Sequence, residues 1–328
     1  GGGGSRRMAG GGGAGTMIYD KDMLLEAGTY IIKVGKGGEG AILDGNITND
    51  SFQILPVNVD MKRGRNGISS QIIKSNNDVL YYSDGGSGGI GGSADTNYPS
   101  YNRPLRGGSG GGGGAGANCF GGLLSELNIV RGEKINVLDN FPSRKSYLPR
   151  YDSDKCFGNK GGDGKNSNPY HGGGGGGAGG PGGDTFNCAS TSENNNKGYG
   201  GIGKQCSITG EDIYYAGGGG GGNYTNNGNY NEGGLGGGGR SGMNASYAHD
   251  GIDGKGGGGG GDANDVKPGG NGGSGVVIIR YKLIPETSDA QEIVINPKIN
   301  SKYSIFKNTT NDDIEYFVTN LGERNMKM

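Results

Sequence analysis

The 328-residue chain contains 81 glycines, about a quarter of its residues against a usual share of about 7%. Its 31 basic and 32 acidic residues leave a net charge of −1, which gives no electrostatic attraction toward nucleic acid or an anionic membrane. The longest strongly apolar run, 276–279, has the length of a strand, whereas a bilayer span needs ~20 residues. Composition therefore argues against a nucleic-acid-binding or membrane-spanning protein.

The distribution of glycine divides the chain into two regions. Glycine punctuates residues 1–282 throughout, whereas 283–328 contain only Gly322. We therefore predict a glycine-rich domain over 1–282 and a C-terminal β-rich tail, or the start of a further domain, over 283–328. Long glycine runs lie at 10–13, 110–114, 172–177, 217–222, 236–239 and 256–261. Their irregular spacing excludes a tandem solenoid of fixed period.

Short apolar segments between the glycine runs predict strands. In chain order, these segments are 17–19, 30–34, 52–55, 207–209, 212–215 and 276–281, followed in the tail by 292–295, 303–306 and 314–318. Residues 123–138 mix the periodicities of helix and strand, so both readings stay open there. We expect the opening strand, 30–34, and the closing strand, 276–281, to pair with each other in a small sheet or sandwich.

The uninterrupted glycine runs suit a left-handed polyproline II helix, which has three residues per turn and a rise of about 3.1 Å. A helix without side chains can be surrounded by others, and lateral bonds from N–H, C=O and Cα–H groups then offset its loss of entropy. The alternative is a flexible linker, but the apolar clusters between the runs argue against it. The predicted fold is mainly β, with polyproline-II-like or irregular glycine segments on a small sheet or sandwich and little helix.

Three segments in order resemble a known family. They are AGTYIIKVG at 27–35, SITG followed by YAG at 207–217, and GGSGVVIIRY at 272–281. Together they resemble the glycine-rich domain of phage tail-fibre and adhesin-like proteins and of structural proteins of large DNA viruses. The resemblance covers about 1–282. It implies a structural or adhesive role without catalysis or a cofactor.

The chain departs from this family pattern in three places. Family members have an apolar strand before the first glycine run, and because this chain opens directly on glycine, we expect that strand to be missing. Segments near 41–83 and 118–159 interrupt the glycine pattern and are predicted to be inserted loops or small lobes. The tail, 283–328, lies outside the resemblance.

The residues offer little for catalysis. Glycine at this density produces chance GxGxxG matches, and no GK pair is followed by the Ser or Thr of a phosphate-binding loop. The two histidines, His171 and His249, leave little material for a triad or zinc site. Asp163, Asp253 and Asp262 could coordinate calcium but suit solvated turns better. We predict no enzyme activity, cofactor or metal site.

Tyrosine is the candidate recognition residue, with 18 copies and no tryptophan. Tyrosine among Asn, Ser and Gly is typical of adaptable binding loops, because its ring gives contact area at low entropic cost. Alternatively, each ring caps the end of a glycine bundle, and the two roles are compatible. The candidate receptor-contact residues are Tyr147, Tyr151, Tyr170, His171, Tyr199, Tyr224, Tyr230, Tyr247 and His249.

Cysteine usage leaves the redox state open. The four cysteines lie far apart with no CxxC pair, which argues against a zinc ribbon. Disulfides among Cys119, Cys156, Cys188 and Cys206 would have three connectivities, and free thiols are the alternative.

These patterns predict a structural protein of the virion surface or extracellular space, such as a fibre, spike or capsid accessory component. Attachment to a host glycan or protein would use the Tyr- and Asn-rich loops, and the structural partners would be other particle proteins or further copies of the chain. The first alternative is a non-viral extracellular-matrix or cell-wall protein, and the second is an ice- or carbohydrate-binding module.

Overall fold

The computed structural model describes residues 1–5, 9–21, 23, 28–41, 63–92, 107–112, 114, 129–130, 154–165, 170–185, 198–223, 230–243, 246–263, 267–282, 301–307 and 314–321. Within these ranges the regular structure consists of antiparallel strands without helix, which confirms the mainly β fold. The predicted strands at 52–55 and 292–295 lie outside the described residues.

The strands are short and carry the labels used below. They are β1 Met17–Ile18, β2 Gly28–Val34, β3 Ser70–Lys74, β4 Val79–Ser83, β5 Ile129–Val130, β6 Cys156–Phe157, β7 Lys204–Cys206, β8 Ile213–Tyr215, β9 Val276–Lys282, β10 Ser301–Lys307 and β11 Ile314–Leu321. Of the open segment 123–138, only β5 is described.

The largest sheet has the order β11-β2-β3-β4-β5, with every neighbouring pair antiparallel. Alternate residues of β2 point to one face because successive side chains in a strand alternate in direction. The buried side chains on this face belong to Tyr30, Ile32, Val34, Ile72 and Tyr81, and Ile279 of β9 completes their cluster. This is the main apolar core of the described residues.

The opening and closing strands do not pair with each other, so that prediction is wrong. β2 lies between β3 and β11 and has both edges occupied, while β9 pairs along its full length with β10. Both β10 and β11 come from the tail. The tail therefore adds strands to the sheets of the glycine-rich region of the same chain.

A hairpin occupies part of the segment near 41–83 that the sequence assigned to an insert. β3 and β4 pair around a tight turn, in which Asn77 adopts φ 67° and donates its N–H to the Lys74 carbonyl at 2.9 Å. Asparagine tolerates this left-handed conformation better than most residues. The hairpin is integral to the sheet because Ile72 of β3 lies in its core.

The glycine runs form a bundle held by backbone hydrogen bonds between runs. In the run 217–222, residues three apart donate to the same neighbouring run. The pairs are Gly217 N to Gly236 O, Gly218 N to Gly201 O, Gly219 N to Gly12 O, Gly220 N to Gly239 O, Gly221 N to Gly198 O and Gly222 N to Ala9 O, with N···O distances of 2.7–3.1 Å. A repeat of three is that of a polyproline II helix.

The carbonyls of this run repeat in the same way and reach three further runs. The donors, from Gly217 O to Gly222 O, are Gly258 N, Gly234 N, Gly175 N, Gly261 N, Asn231 Nδ2 and Gly172 N. The run 217–222 is therefore surrounded by six neighbours. Run 9–14 is bonded to its surroundings with the same period. The predicted polyproline-II-like packing is present, and these runs are not linkers.

The bundle has two distinct ends. At the strand end, the runs continue into strands at Thr16, Gly35, Ser69, Asp84, Gly203, Ala216 and Gly275. At the opposite loop end lie Ser5, Ala9, Ala41, Arg63, Ile90, Lys165, His171, Asn223, Asn231, Met243, Ser246 and Asp262. The register between runs fixes this assignment, because Ala9 pairs with Asp262 and Gly222, and Ser5 with Asp262.

Close packing explains why the runs must be glycine. An added Cβ on Gly219, Gly12 or Gly258 would lie within 3.0 Å of a backbone carbonyl of the next run, closer than real Cβ atoms come. Methyl groups occur where the runs leave the bundle, as in the buried cluster of Ala14, Ala178 and Ala216 beside Met17 and Phe157.

Candidate functional site

Most of the described sequence candidates lie toward the loop end of the bundle, whereas His249 lies midway along its run, opposite Arg240. Of the candidates, Tyr170, His171, Tyr199, Tyr230, Tyr247 and His249 are described, and Tyr147, Tyr151 and Tyr224 lie outside the described residues. Isolated β-bridges join His171 to Asn223, Asn223 to Met243, and Met243 to Ser246. Segments far apart in sequence therefore meet on one surface.

Tyr230, Arg240, Ser246 and His249 form what is called here the Tyr230 cluster. The guanidinium of Arg240 stacks 4.1 Å from the Tyr230 ring centroid, and its Nε donates to His249 Nε2 at 3.0 Å. The Tyr230 hydroxyl lies 3.0 Å from Ser246 Oγ. That hydrogen bond, reinforced by the Arg240 charge, lowers the pKa of Tyr230. Mutual contacts thus preorganise a cation and an aromatic ring.

Tyr247 extends this surface toward solvent. Its side chain is 63% exposed, and the Lys267 ammonium lies 4.7 Å from its ring centroid. An exposed ring beside a cation offers apolar area, a hydroxyl and charge to a ligand. Among the described candidates, Tyr247 is the one best placed for recognition.

His171 lies in a buried environment, in contrast to the exposed Tyr247. It is buried, and its carbonyl accepts hydrogen bonds from Lys165 N at 2.8 Å and Thr185 Oγ1 at 3.2 Å. Burial lowers the pKa of His171, the Lys165 charge lowers it further, and a hydrogen bond with Asn223 raises it. Its side chain offers a ligand little surface, and the residue instead ties three segments together through its carbonyl and its ring.

Tyr170 is half-buried and Tyr199 is 38% exposed. Short polar side chains, which the sequence analysis did not single out, also bond the backbone of the glycine runs. Asn231 Nδ2 donates to Gly221 O at 2.6 Å, and Ser87 Oγ accepts from Gly111 N at 2.6 Å. Asparagine and serine beside or within the glycine runs are the signal that would have identified these hydrogen bonds.

Cys156 and Cys206 are buried thiols that form no disulfide. Cys119 and Cys188 lie outside the described residues. The two described cysteines flank the strand end, in β6 and β7, far from the Tyr230 cluster.

A cavity of about 190 Å³ lies at the strand end, lined mainly by apolar side chains such as Met17, Ile72 and Ile278. Asp20 borders it with a carboxylate that is 3% exposed, bonded to Lys155 Nζ at 2.9 Å and to the Tyr81 hydroxyl at 2.8 Å. This network ties β1 to the sheet. In the described part of the chain, no group of three or more His, Cys, Asp or Glu side chains could hold a metal ion.

In the ranges that the structure describes, no helix is long and apolar enough to cross a membrane.

Comparison with known proteins identifies one family. No curated protein and no solved structure matches the chain. The family model of the glycine-rich domain matches residues 1–282, which include the whole bundle and strands β1 to β9. The chain therefore belongs to the glycine-rich domain family.

Proposed function

We propose that the chain is a structural component of a virion surface, such as a fibre, spike or capsid accessory protein, whose loop end contacts the host. The observation that carries this proposal is the polarity of the fold. Strands occupy one end of the glycine bundle, while Tyr230, Ser246 and the exposed Tyr247 lie at the other. Loops held on a rigid scaffold are common binding elements.

The hydrogen bonding of the bundle supports a structural role. Each residue of 217–222 donates a backbone hydrogen bond to one neighbouring run and accepts one from another, so this run is bonded to all six of its neighbours. Moving one run past its neighbours would break many buried hydrogen bonds at once, and each unsatisfied buried group costs about 1–3 kcal/mol. A core of this kind suits a protein that must hold its loops in fixed positions under mechanical load.

The strand end would then face the rest of the particle. Leu235 and Ile252, 61% and 54% exposed, lie in turns near this end. Exposed apolar side chains are often buried by contact with a protein partner. Other structural proteins or further copies of this chain are the proposed partners.

Localisation is tested by fractionating the source material into purified particles and cell envelope. We expect the chain in the particles, and antibodies against a peptide spanning 241–248 to label intact particles. Recovery only in a cell-wall or matrix fraction would refute the virion role and favour the non-viral alternative.

Attachment is tested by host-cell binding of the full chain and two matched variants. Tyr247→Ala should weaken binding about tenfold or more, as expected for loss of an aromatic hot spot. Leu235→Ala is the control, because it removes an equally exposed side chain at the strand end. Equal binding by all three proteins would contradict the assignment of the loop end. Binding to a purified glycan without particle association would favour a carbohydrate-binding module.

A further inference from the structure

Arg63 carries a buried cation that the fold does not satisfy. The residue is 6% exposed, and its Nε and Nη2 atoms are buried without a hydrogen-bond partner. Arginine cannot lose its charge under ordinary conditions. A buried charge without a partner is strongly destabilising, so such a group requires an explanation.

The backbone places Arg63 at the loop end. The next residue, Gly64, donates its N–H to Gly89 O at 3.2 Å, and Arg65 O accepts from Gly3 N at 2.8 Å. Both neighbouring runs are antiparallel to 63–69, so Arg63 lies where they reach the loop end. The backbone that follows Arg63 is therefore fixed by the bundle.

Arg65, two residues further along the chain, forms the kind of ion pair that Arg63 lacks among the described residues. Its Nη1 forms an ion pair with Glu39 Oε2 at 3.1 Å, and its side chain is partly exposed. No described carboxylate forms such a pair with Arg63. Burial lowers the pKa of Arg63 to about 10, and no neighbouring charge contributes to this shift. At neutral pH the guanidinium therefore remains charged, and no charge among the described residues compensates it.

We propose that Arg63 forms an internal anion site that takes a small oxyanion, that is, a carboxylate, sulfate or phosphate group. The two unsatisfied atoms support this ligand class. Nε–H and one Nη2–H point the same way and form the side-on fork of the guanidinium. That fork matches two oxygens of a carboxylate or tetrahedral oxyanion in a bidentate pair. The anion would supply both missing hydrogen bonds and the missing charge.

The site is independent of the proposed surface role, because it concerns the interior of the bundle and makes no use of Tyr247. Its consequence is a stability that depends on anions. A ligand that binds only the folded state stabilises it by mass action.

The test is thermal unfolding of the full chain during titration with sodium sulfate, with sodium chloride keeping the ionic strength constant. Arg63→Met and Arg65→Met are compared with the wild type, since each variant removes one positive charge and keeps similar volume. The general stabilisation of proteins by sulfate is common to all three. We expect a saturable rise in Tm of the wild type, by about 2–5 °C at tenfold excess over the dissociation constant.

Arg63→Met should lose this saturable component and be at least as stable as the wild type without sulfate, because the uncompensated charge is gone. Arg65→Met should retain it. Parallel responses of wild type and Arg63→Met would overturn the proposal. A large loss of stability of Arg63→Met in sulfate-free buffer would also overturn it, because the guanidinium would then have a partner within the chain.

A second measurement does not depend on variant folding. In ¹⁵N-labelled protein, the arginine Nε–Hε resonance that Arg63→Lys removes identifies Arg63. Sulfate should shift that resonance saturably while the Arg65 resonance responds only weakly. An unchanged Arg63 resonance up to saturating sulfate would contradict the assignment.

Discussion

Replacing one central glycine by alanine tests the packing of the bundle most sharply. Gly219 lies in the run with six neighbours, and its added Cβ would collide with the Gly259 carbonyl. That carbonyl accepts the Gly12 N–H at 2.8 Å, and Gly12 O accepts from Gly219 N at 2.9 Å. The methyl group therefore enters a closed set of three runs, and none of them can move alone.

The expected cost combines overpacking with lost hydrogen bonding. Overpacking costs about 1–3 kcal/mol, and leaving one buried backbone group unsatisfied costs about 1–3 kcal/mol more. We expect Gly219→Ala to lose about 2–6 kcal/mol, which for a chain of this length corresponds to a Tm lower by roughly 3–9 °C.

Gly15→Ala is the matched control. Its added Cβ would lie 3.5 Å from Asp84 O and 3.9 Å from Gly256 O, which is ordinary contact. This variant should stay within about 1 kcal/mol of the wild type or gain slightly, because alanine reduces the entropy of the unfolded chain. Denaturant unfolding measures both variants. Equal stabilities of Gly219→Ala and Gly15→Ala would refute the close packing of the glycine runs.

Other predictions concern pH, thiols and the sheet core. The pKa of His171 is lowered below its ordinary 6.5 in the folded state, so its contribution to stability is complete above pH 6.5 and is lost as the pH falls through the folded-state value. His171→Asn should flatten this part of a curve of stability against pH, and an unchanged slope would contradict the prediction. Cys156 and Cys206 should resist alkylation until the protein unfolds, as read by peptide mass mapping, and rapid native labelling of either would show that it is accessible. Ile32→Ala should lower the free energy of unfolding, measured with denaturant, by about 2–5 kcal/mol, whereas Ile68→Ala, at an exposed position, should lower it by under about 1 kcal/mol. Equal losses would show that Ile32 is not part of the core.

Local sequence was enough to predict the polyproline-II-like runs and several strands. Runs of six glycines leave few alternatives to extended chains that touch, and the β-branched segments at 30–34 and 276–281 became β2 and β9. Pairing was harder, because it depends on which edges are free. Both edges of β2 are taken by β3 and by tail strand β11, and no local pattern reveals this competition.

The segment 207–209 shows how turn chemistry shifted a predicted strand. Gly210 adopts φ 92° and donates to Ser207 O at 2.9 Å, so 207–210 form a turn. The strand β7 therefore precedes them, at Lys204–Cys206. Alternation of apolar residues alone cannot distinguish a turn from a strand end.

The recognition role of the loop-end tyrosines stays a prediction, and their contacts with cations were not foreseen. Tyrosine among asparagine and glycine pointed to Tyr230 and Tyr247, whereas the cations that contact them, Arg240 and Lys267, come from other segments of the chain. Sequence neighbours do not reveal such contacts, because the register between glycine runs decides them. The burial of His171 follows from the same register.

The most direct test of the account is amide hydrogen exchange of the peptide spanning 216–222 in the full chain, read by mass spectrometry. All seven amides donate to neighbouring segments at 2.7–3.1 Å, so we expect them to exchange about as slowly as those of β2. Exchange at the rate of an unstructured glycine peptide would contradict a hydrogen-bonded bundle, and the runs would then be linkers.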